Sequence, residues 1–372
     1  MSVRILVACS PGELRVAVVQ DDGLIDYALW RPGCPDGVGD LYRGRVTAQV
    51  PAMAGAFVAL PHAEGFLPDS EGAAGLSDGM AVAVRITRSA QGGKGPRLTA
   101  RVTEADRALE ATGPPALLAR GPGAVECLAA LHPSAPIRVD DPGVVAALRP
   151  VLGERLTAGS VLDDALAGWI DALAEPSVDL PGSMRASIHP TPALVAIDVD
   201  AGGTSADRRP KRAAQTAANR AMLPALARQI RLRNLSGAIV VDVAGLALRH
   251  RSALAPDFAA ALADDPMRPR FLGFSALGFA EIMRPRAHPP LHELLAGPHA
   301  AGLSALRTIM QSAAADPAAV FRLHAAPDVA AALAQDFVAL PDLARRTGRP
   351  LIVTSDPSLP PGRHAIERTA RA

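Results

Sequence analysis

The sequence predicts an α+β chain of several domains, in which β-rich segments come first and an α/β unit follows. Three observations favour this fold class. Strand-like runs separated by Gly and Pro fill the first hundred residues, two β-branched runs flank a helical stretch near residues 193–243, and helix and strand patterns alternate from about residue 303. At 372 residues the chain is long enough for two or three cores.

The first thirty residues predict three short strands, RILVACS, LRVAVVQ and LIDYALW, with a hairpin signal at Asp22-Gly23. From Gly39 to about residue 102, short alternating runs recur every ten residues or so, which is typical of a small closed barrel. Phe57 and Phe66 fall inside this segment, and aromatic side chains on a barrel face can stack unpaired bases. For Phe57 a core position is an equally good interpretation, whereas Phe66 is expected in a surface turn.

Weaker patterns follow the barrel segment. Residues 103–136 are broken by Pro and Gly, residues 135–140 predict a strand, and Asp141 is expected to cap a helix. Residues 160–173 predict an amphipathic helix and residues 269–274 a strand. Residues 279–286 are expected to form a short basic turn of helix, and the segment after residue 303 a small α/β domain.

Two aspartates, Asp198 and Asp242, each close a short apolar run, ALVAID and GAIVVD. The roughly 30 residues between these predicted strands suit a helical crossover. A strand–helix–strand unit makes its strands parallel, so both carboxylates leave the sheet at the same edge, roughly 5 Å apart if the strands are neighbours. Carboxylates that close repel unless a cation or a proton lies between them, and Mg²⁺ is the usual solution.

The crossover is strongly basic, although the whole chain has a net charge of only +1. Basic side chains beside an acidic metal site suit a nucleic-acid phosphodiesterase, because they hold phosphates while the metal polarises one of them. A solvated helix face and a helix-capping aspartate are the competing interpretations. The candidate phosphate-binding residues are Arg208, Arg209, Lys211 and Arg212.

Composition excludes several other classes. Cys9, Cys34 and Cys127 lack the spacing of a disulfide framework or a zinc ribbon. No apolar run approaches the ~18 residues of a membrane span, and no signal-peptide pattern opens the chain, so we expect a cytoplasmic protein.

Several stretches, in the same order, resemble the ribonuclease E/G family of bacterial endoribonucleases. The strongest are QIRLRNLSGAIVVD, ending at Asp242, and AIDVD, which contains Asp198 and Asp200. LYRGRV, GAFV, GFLP and GGKGPRLT are similar to the family's S1-type RNA-binding insertion, and LGFAEIMRPR also fits. The likeness covers most of residues 1–295.

The resemblance implies an RNase H-like subdomain interrupted by an S1/OB β-barrel, followed by a DNase I-like α/β catalytic subdomain. It implies a Mg²⁺ site at Asp198 and Asp242, with Asp200 as a candidate third ligand, and RNA contacts from Phe57, Phe66 and Lys94. The implied reaction is hydrolysis of single-stranded RNA that leaves a 5′-phosphate, in RNA processing or decay. The implied divisions are 1–38 and 135–190 (RNase H-like), 39–102 (barrel), 103–134 (reduced sensor-like region), 191–295 (catalytic subdomain) and 296–372 (small C-terminal domain).

The chain also departs from the family pattern. Asp200 stands where the family usually has Asn, and Ala276 where it often has Arg. The sensor-like region is short, so 5′-end sensing is not expected. The segment between Leu295 and Leu303 contains no cysteine, so Zn²⁺ is not expected. The sequence leaves a homodimer open, but not one linked by zinc.

Three functions therefore remain. The leading one is a Mg²⁺-dependent endoribonuclease of single-stranded RNA. The second is an RNA-binding member of this family with weak or lost catalysis. The third is a metal-dependent phosphoesterase acting on a small phosphate ester, which would not need the barrel aromatics.

Overall fold

The computed structural model describes residues 2–21, 23–109, 113–202 and 211–369. It divides into two compact units. The main unit comprises Met1–Cys34, Leu128–Pro285 and Pro290–Ala372, and the barrel unit comprises Pro35–Cys127 and Arg286–Pro289.

The main unit begins with the three antiparallel strands that the sequence predicts, β1 (Val3–Ser10), β2 (Glu13–Gln20) and β3 (Gly23–Trp30). Ile5 lies opposite Val18 and Val7 opposite Val16, and all four side chains are fully buried. Pairing of β-branched residues across neighbouring strands stabilises such a sheet.

The barrel unit contains a closed five-stranded barrel, which confirms that prediction. Its strands are β4 (Leu41–Val50), β5 (Gly55–Ala59), β6 (Glu64–Pro68), β7 (Ala81–Arg88) and β8 (Arg97–Thr99), paired in the cyclic order β4-β5-β6-β8-β7. Side chains from these strands fill the interior, among them Val46, Val58, Leu67, Val84 and Leu98. After α1 (Glu104–Ala108), strand β9 (Ala116–Ala119) pairs with β4, so the barrel sheet continues to residue 119.

The chain then extends the first sheet through α2 (Ala124–Leu131), β10 (Ile137–Val139), α3 (Pro142–Leu152), β11 (Leu156–Ala158) and α4 (Asp164–Ala172). Strand β10 pairs in parallel with β1, and β11 with β10, giving the order β11-β10-β1-β2-β3. Asp141 caps α3, as expected, by accepting a hydrogen bond from the Val144 amide at 3.0 Å.

A six-stranded sheet carries the two-aspartate unit. Its elements are β12 (Ser177–Leu180), β13 (Met184–Pro190), β14 (Val195–Ala201), α5 (Lys211–Leu232), β15 (Gly237–Asp242), α6 (Leu248–Arg251), α7 (Ala255–Leu262), β16 (Arg270–Phe274) and β17 (Ala280–Arg284). The strand order is β12-β13-β14-β15-β17-β16, and β14 pairs in parallel with β15. The predicted strand–helix–strand unit is therefore present. Apolar residues of α5 and α7 cover one face of the sheet: Met222, Leu223, Leu226, Ile230, Phe258 and Leu262.

The expectation of a helical turn at residues 279–286 is wrong, because β17 occupies most of this segment. Ala280, Ile282 and Arg284 are buried in alternation, which is the period of a strand. Arg284 hides this pattern in the sequence, since an arginine is usually exposed. Its Nε donates to Asp265 Oδ2 and its Nη1 donates to Asn234 Oδ1, both at 2.7 Å, which makes burial of the charge tolerable.

The C-terminal part alternates helix and strand as predicted and adds a last strand. It contains α8 (Leu291–Leu295), α9 (Gly297–Ala315), β18 (Val320–Ala325), α10 (Pro327–Gln335), α11 (Ala339–Thr347), β19 (Ile352–Ser355) and β20 (His364–Thr369). The three strands form a sheet in the order β19-β18-β20. Among the helices of the described residues, none combines the length and the apolar character needed to cross a bilayer.

Candidate active site

Asp198 and Asp242 lie directly beside each other on neighbouring parallel strands. The register of β14 and β15 pairs Ile197 with Val241 and Asp198 with Asp242. Neighbouring strands are about 4.8 Å apart, and side chains in register point to the same face. Because Ile197 and Val241 face the helices, both carboxylates lie on the opposite face, where Asp198 is exposed and Asp242 half-buried.

The same face carries further polar side chains near the pair. Asp200 is two residues beyond Asp198, exposed on that face, and lies opposite Arg185 of β13. Glu281 of β17 is half-buried and lies opposite Val240. Val240 precedes Asp242 by two residues on β15, so its side chain lies on the same face. Sequence reasoning assigned no role to Glu281, although it belongs to the motif LGFAEIMRPR. In the sheet it lies two strands from Asp198. Acidic side chains thus extend over three adjacent strands.

Arg251 is a second residue of this site that sequence reasoning missed. It ends α6, and its Nη1 donates a hydrogen bond to Asp242 Oδ1 at 2.7 Å. The guanidinium side chain is only 15% exposed, against 42% for Asp242. No sequence signal distinguishes it from Arg249, the other arginine of LRHR, since the contact depends on the path of the loop after β15.

Helix α5 holds that loop in place. Asn219 is fully buried, and its Nδ2 donates to Gln215 O at 2.8 Å and to Ala244 O at 2.9 Å. Gly245 has a φ of +67°, and a Cβ there would lie 2.5 Å from Gln215 Nε2. The crossover helix therefore fixes the backbone immediately after Asp242, and with it the position from which Arg251 turns back.

The donor set of the aspartate pair fits a hard divalent cation. Mg²⁺ is commonly held by one or two carboxylates and completes its shell with water and substrate phosphate. Within the described residues, however, no group of three or more His, Cys, Asp or Glu side chains is arranged to hold a metal ion. Asp198 and the second oxygen of Asp242 are thus the donors that the structure offers, and Asp200 is not gathered with them into such a group.

Ala276, the position that departs from the family pattern, is exposed in the turn between β16 and β17. Arg251 Nη1 also donates to Gly278 O of the same turn at 2.8 Å. A guanidinium therefore reaches this turn from α6, although residue 276 itself supplies none.

The basic crossover divides into two parts. Arg208 and Arg209 lie outside the described residues, and Lys211 and Arg212 begin α5. Further along the crossover, some of the cations are used by the fold. Arg220 Nε donates to Asp257 Oδ2 at 3.0 Å, and the buried Arg233 donates through Nη2 to Ala172 O at 3.1 Å. Arg220 and Arg233 are thereby engaged, and the N-terminal part of the segment stays the candidate for phosphate binding.

Phe57 and Phe66 form a pair on the outer surface of the barrel. They are register partners on β5 and β6, with ring centroids 5.6 Å apart in an edge-to-face arrangement. Both are half-buried, whereas their neighbours Val58 and Leu67 fill the core. Phe57 therefore lies outside the core cluster, and the expectation of a surface turn at Phe66 is wrong, because the residue lies within strand β6.

Positive charge lies close to this aromatic pair. Arg97 is the strand partner of Phe66 and also of Arg88. Burial, followed by the charges of Arg97 and Arg286, lowers the pKa of Arg88, whose Nε has no hydrogen-bond partner in the described part of the chain. Lys94 is exposed in the tight turn that pairs Gln91 with Lys94, between β7 and β8. Cations clustered beside aromatic side chains are typical of surfaces that bind single-stranded nucleic acids.

Comparison with known proteins finds similarity to a family in the segment that contains the six-stranded sheet. Residues 164–287 match the model of the ribonuclease E/G family. The predicted resemblance is thus confirmed for this segment. Ribonuclease E of Nostoc sp. is 36% identical over a stretch covering 32% of this chain and 18% of that protein. Ribonuclease G of Salmonella typhimurium is 30% identical over 29% of this chain and 27% of its own length.

The matched segment contains Asp198, Asp200, Asp242, Arg251 and Glu281. It begins after the barrel, so the match to the family model does not extend to Phe57, Phe66 or Lys94. These alignments span between about a fifth and about a quarter of the length of the two relatives.

Proposed function

We propose that the protein is an endoribonuclease that cleaves single-stranded RNA with the help of Mg²⁺. One observation carries the proposal: Asp198 and Asp242 are register partners on parallel strands of the segment that matches the ribonuclease E/G family. Relatives named ribonuclease E and ribonuclease G support RNA as the substrate class. The RNase H-like and DNase I-like assignments, the six-part division, a cytoplasmic location and a role in RNA processing or decay belong to the same proposal.

The side chains take separate roles in this proposal. Asp198 and Asp242 hold the cation, with Asp200 as a further candidate. Bound Mg²⁺ would supply a water of lowered pKa and offset charge on the phosphate oxygens. Phe57 and Phe66 stack or wedge bases, and basic side chains hold the backbone: Lys94, Arg208, Arg209, Lys211 and Arg212.

The test is cleavage of a fluorescent, unstructured RNA by the purified full chain with and without Mg²⁺. Asp242→Asn and Asp198→Asn should each lower the rate at least about a hundredfold, because each removes one charged donor from a two-carboxylate site. Asp164→Asn is the matched control, since Asp164 is exposed on α4, outside the six-stranded sheet. Undiminished cleavage by Asp242→Asn would exclude this metal site.

A second candidate function is RNA binding with weak or lost catalysis. The bond between Arg251 and Asp242 favours it, because a guanidinium already neutralises one of the two carboxylates. Salt-dependent binding of the same RNA, without cleavage at any Mg²⁺ concentration, would support this function and exclude the first.

A further inference from the structure

Arg251 is held in the acidic site by three acceptors from three different segments. Its Nη1 donates to Asp242 Oδ1 at 2.7 Å and to Gly278 O at 2.8 Å, and its Nε donates to Leu246 O at 2.9 Å. Asp242 ends β15, Leu246 lies in the following loop, and Gly278 lies in the turn before β17. This arrangement fixes the guanidinium group rather than leaving it to move in solvent.

The carboxylate pair is neutralised on one side only. Asp198 makes no hydrogen bond or ion pair with the described residues, whereas Asp242 shares one oxygen with Arg251. A divalent cation bound between the two aspartates would therefore lie beside a guanidinium that contacts one of its ligands. The cation and the guanidinium are both positive, and they repel each other strongly because the Arg251 side chain is largely shielded from water.

We propose that Arg251 competes with the divalent cation for Asp242 and so sets the cation concentration at which the site fills. This inference rests on the proposed function and adds a residue that opposes metal binding. In the absence of the cation, the guanidinium keeps the adjacent carboxylates from repelling each other. When the cation binds, the hydrogen bond to Asp242 Oδ1 weakens, while the bonds to the two backbone carbonyls can stay.

The experiment is calorimetric titration of Mg²⁺ alone into the full-length wild type and its variants. Arg251→Gln should bind Mg²⁺ about tenfold more tightly, because a charge-assisted hydrogen bond no longer has to be displaced. Arg249→Gln is the matched control, since Arg249 is exposed on the same helix and its Nε lies 3.2 Å from His250 Nε2 rather than near Asp242. It should bind like the wild type, and Asp242→Asn should not bind.

Equal or weaker Mg²⁺ binding by a folded Arg251→Gln would overturn the inference. If that variant does not fold, the inference can be tested on the wild type by following the NMR signal of the Arg251 Nε–H group. That signal should shift on addition of Mg²⁺ in the wild type and stay unchanged in Asp242→Asn; an unchanged signal in a wild type that binds Mg²⁺ would also overturn the inference. Tighter binding by Arg251→Gln without RNA cleavage by any form would sustain the inference and exclude the proposed function. Cleavage that depends on Asp242, together with equal Mg²⁺ affinities of the wild type and Arg251→Gln, would support the proposed function and overturn the inference.

Discussion

At the scale of single residues, the role of an aromatic side chain is decided by which face of a strand it occupies. Phe57 and Phe66 alternate with buried neighbours, so removing either ring should spare the barrel core. We expect Phe57→Ala or Phe66→Ala to weaken binding of an unstructured RNA by about 1–3 kcal/mol, the usual contribution of one base stacked on an aromatic ring. Fluorescence anisotropy with a labelled oligonucleotide measures this change.

The matched control is Phe337→Ala, because Phe337 is 74% exposed and lies in the main unit. It should leave the RNA affinity unchanged. Turnover of a nucleotide substrate that Phe57→Ala leaves unchanged would instead make a small phosphate ester the better substrate class, because no contact with the barrel would be needed.

At the scale of elements, α5 both connects the two aspartate strands and supports the loop that follows Asp242. Asn219→Ala should lower the free energy of unfolding by about 1–3 kcal/mol, because the Ala244 carbonyl loses its buried donor. Urea unfolding measures the loss. Arg228→Ala, on the exposed side of the same helix, should change stability by less than about 0.5 kcal/mol. A stable Asn219→Ala that binds Mg²⁺ normally would mean that α5 does not position the loop.

The strands of the six-stranded sheet were predictable to different degrees. Strands β14 and β15 were predictable because each is a short β-branched run ending in Asp, and their parallel pairing follows from the helix between them. Strand β17 was not, since Arg284 breaks the apolar pattern and is buried only because Asp265 and Asn234 bind it. Side-chain partners that lie far apart in sequence cannot be deduced from a local pattern.

The candidate site shows the same limit. The apposition of Asp198 and Asp242 follows from strand periodicity and crossover geometry, both of which are local features of the sequence. The contact of Arg251 with Asp242 depends instead on the loop after β15, on the buried amide of Asn219 and on the left-handed backbone of Gly245. A regular hydrophobic period encodes none of these three features, so nothing in the sequence distinguished Arg251 from other arginines.

At the scale of the whole molecule, Asp141 joins two parts of the main unit that are distant in sequence. It is almost fully buried, caps α3 through Oδ1, and accepts a hydrogen bond from Arg345 at 2.7 Å while pairing with Arg346 at 2.8 Å, both through Oδ2. Both arginines belong to α11. A single carboxylate thus links the helix after β10 to the C-terminal sheet domain.

Asp141→Asn keeps a good capping side chain but removes the charge, so it should lower the free energy of unfolding by about 1–3 kcal/mol at pH 7. Asp163→Asn, which changes the cap of α4 in the same way, should be nearly neutral. Burial raises the pKa of Asp141, but hydrogen bonds and charges from Arg345 and Arg346 outweigh it and hold the pKa below its ordinary value of 3.8. The stabilisation is therefore fully present above about pH 4 and is lost as the pH falls through the lowered pKa. Urea unfolding should show the same difference between wild type and variant at pH 7 and pH 5 and a smaller one near pH 3; a difference that grows on acidification would contradict the ion pair.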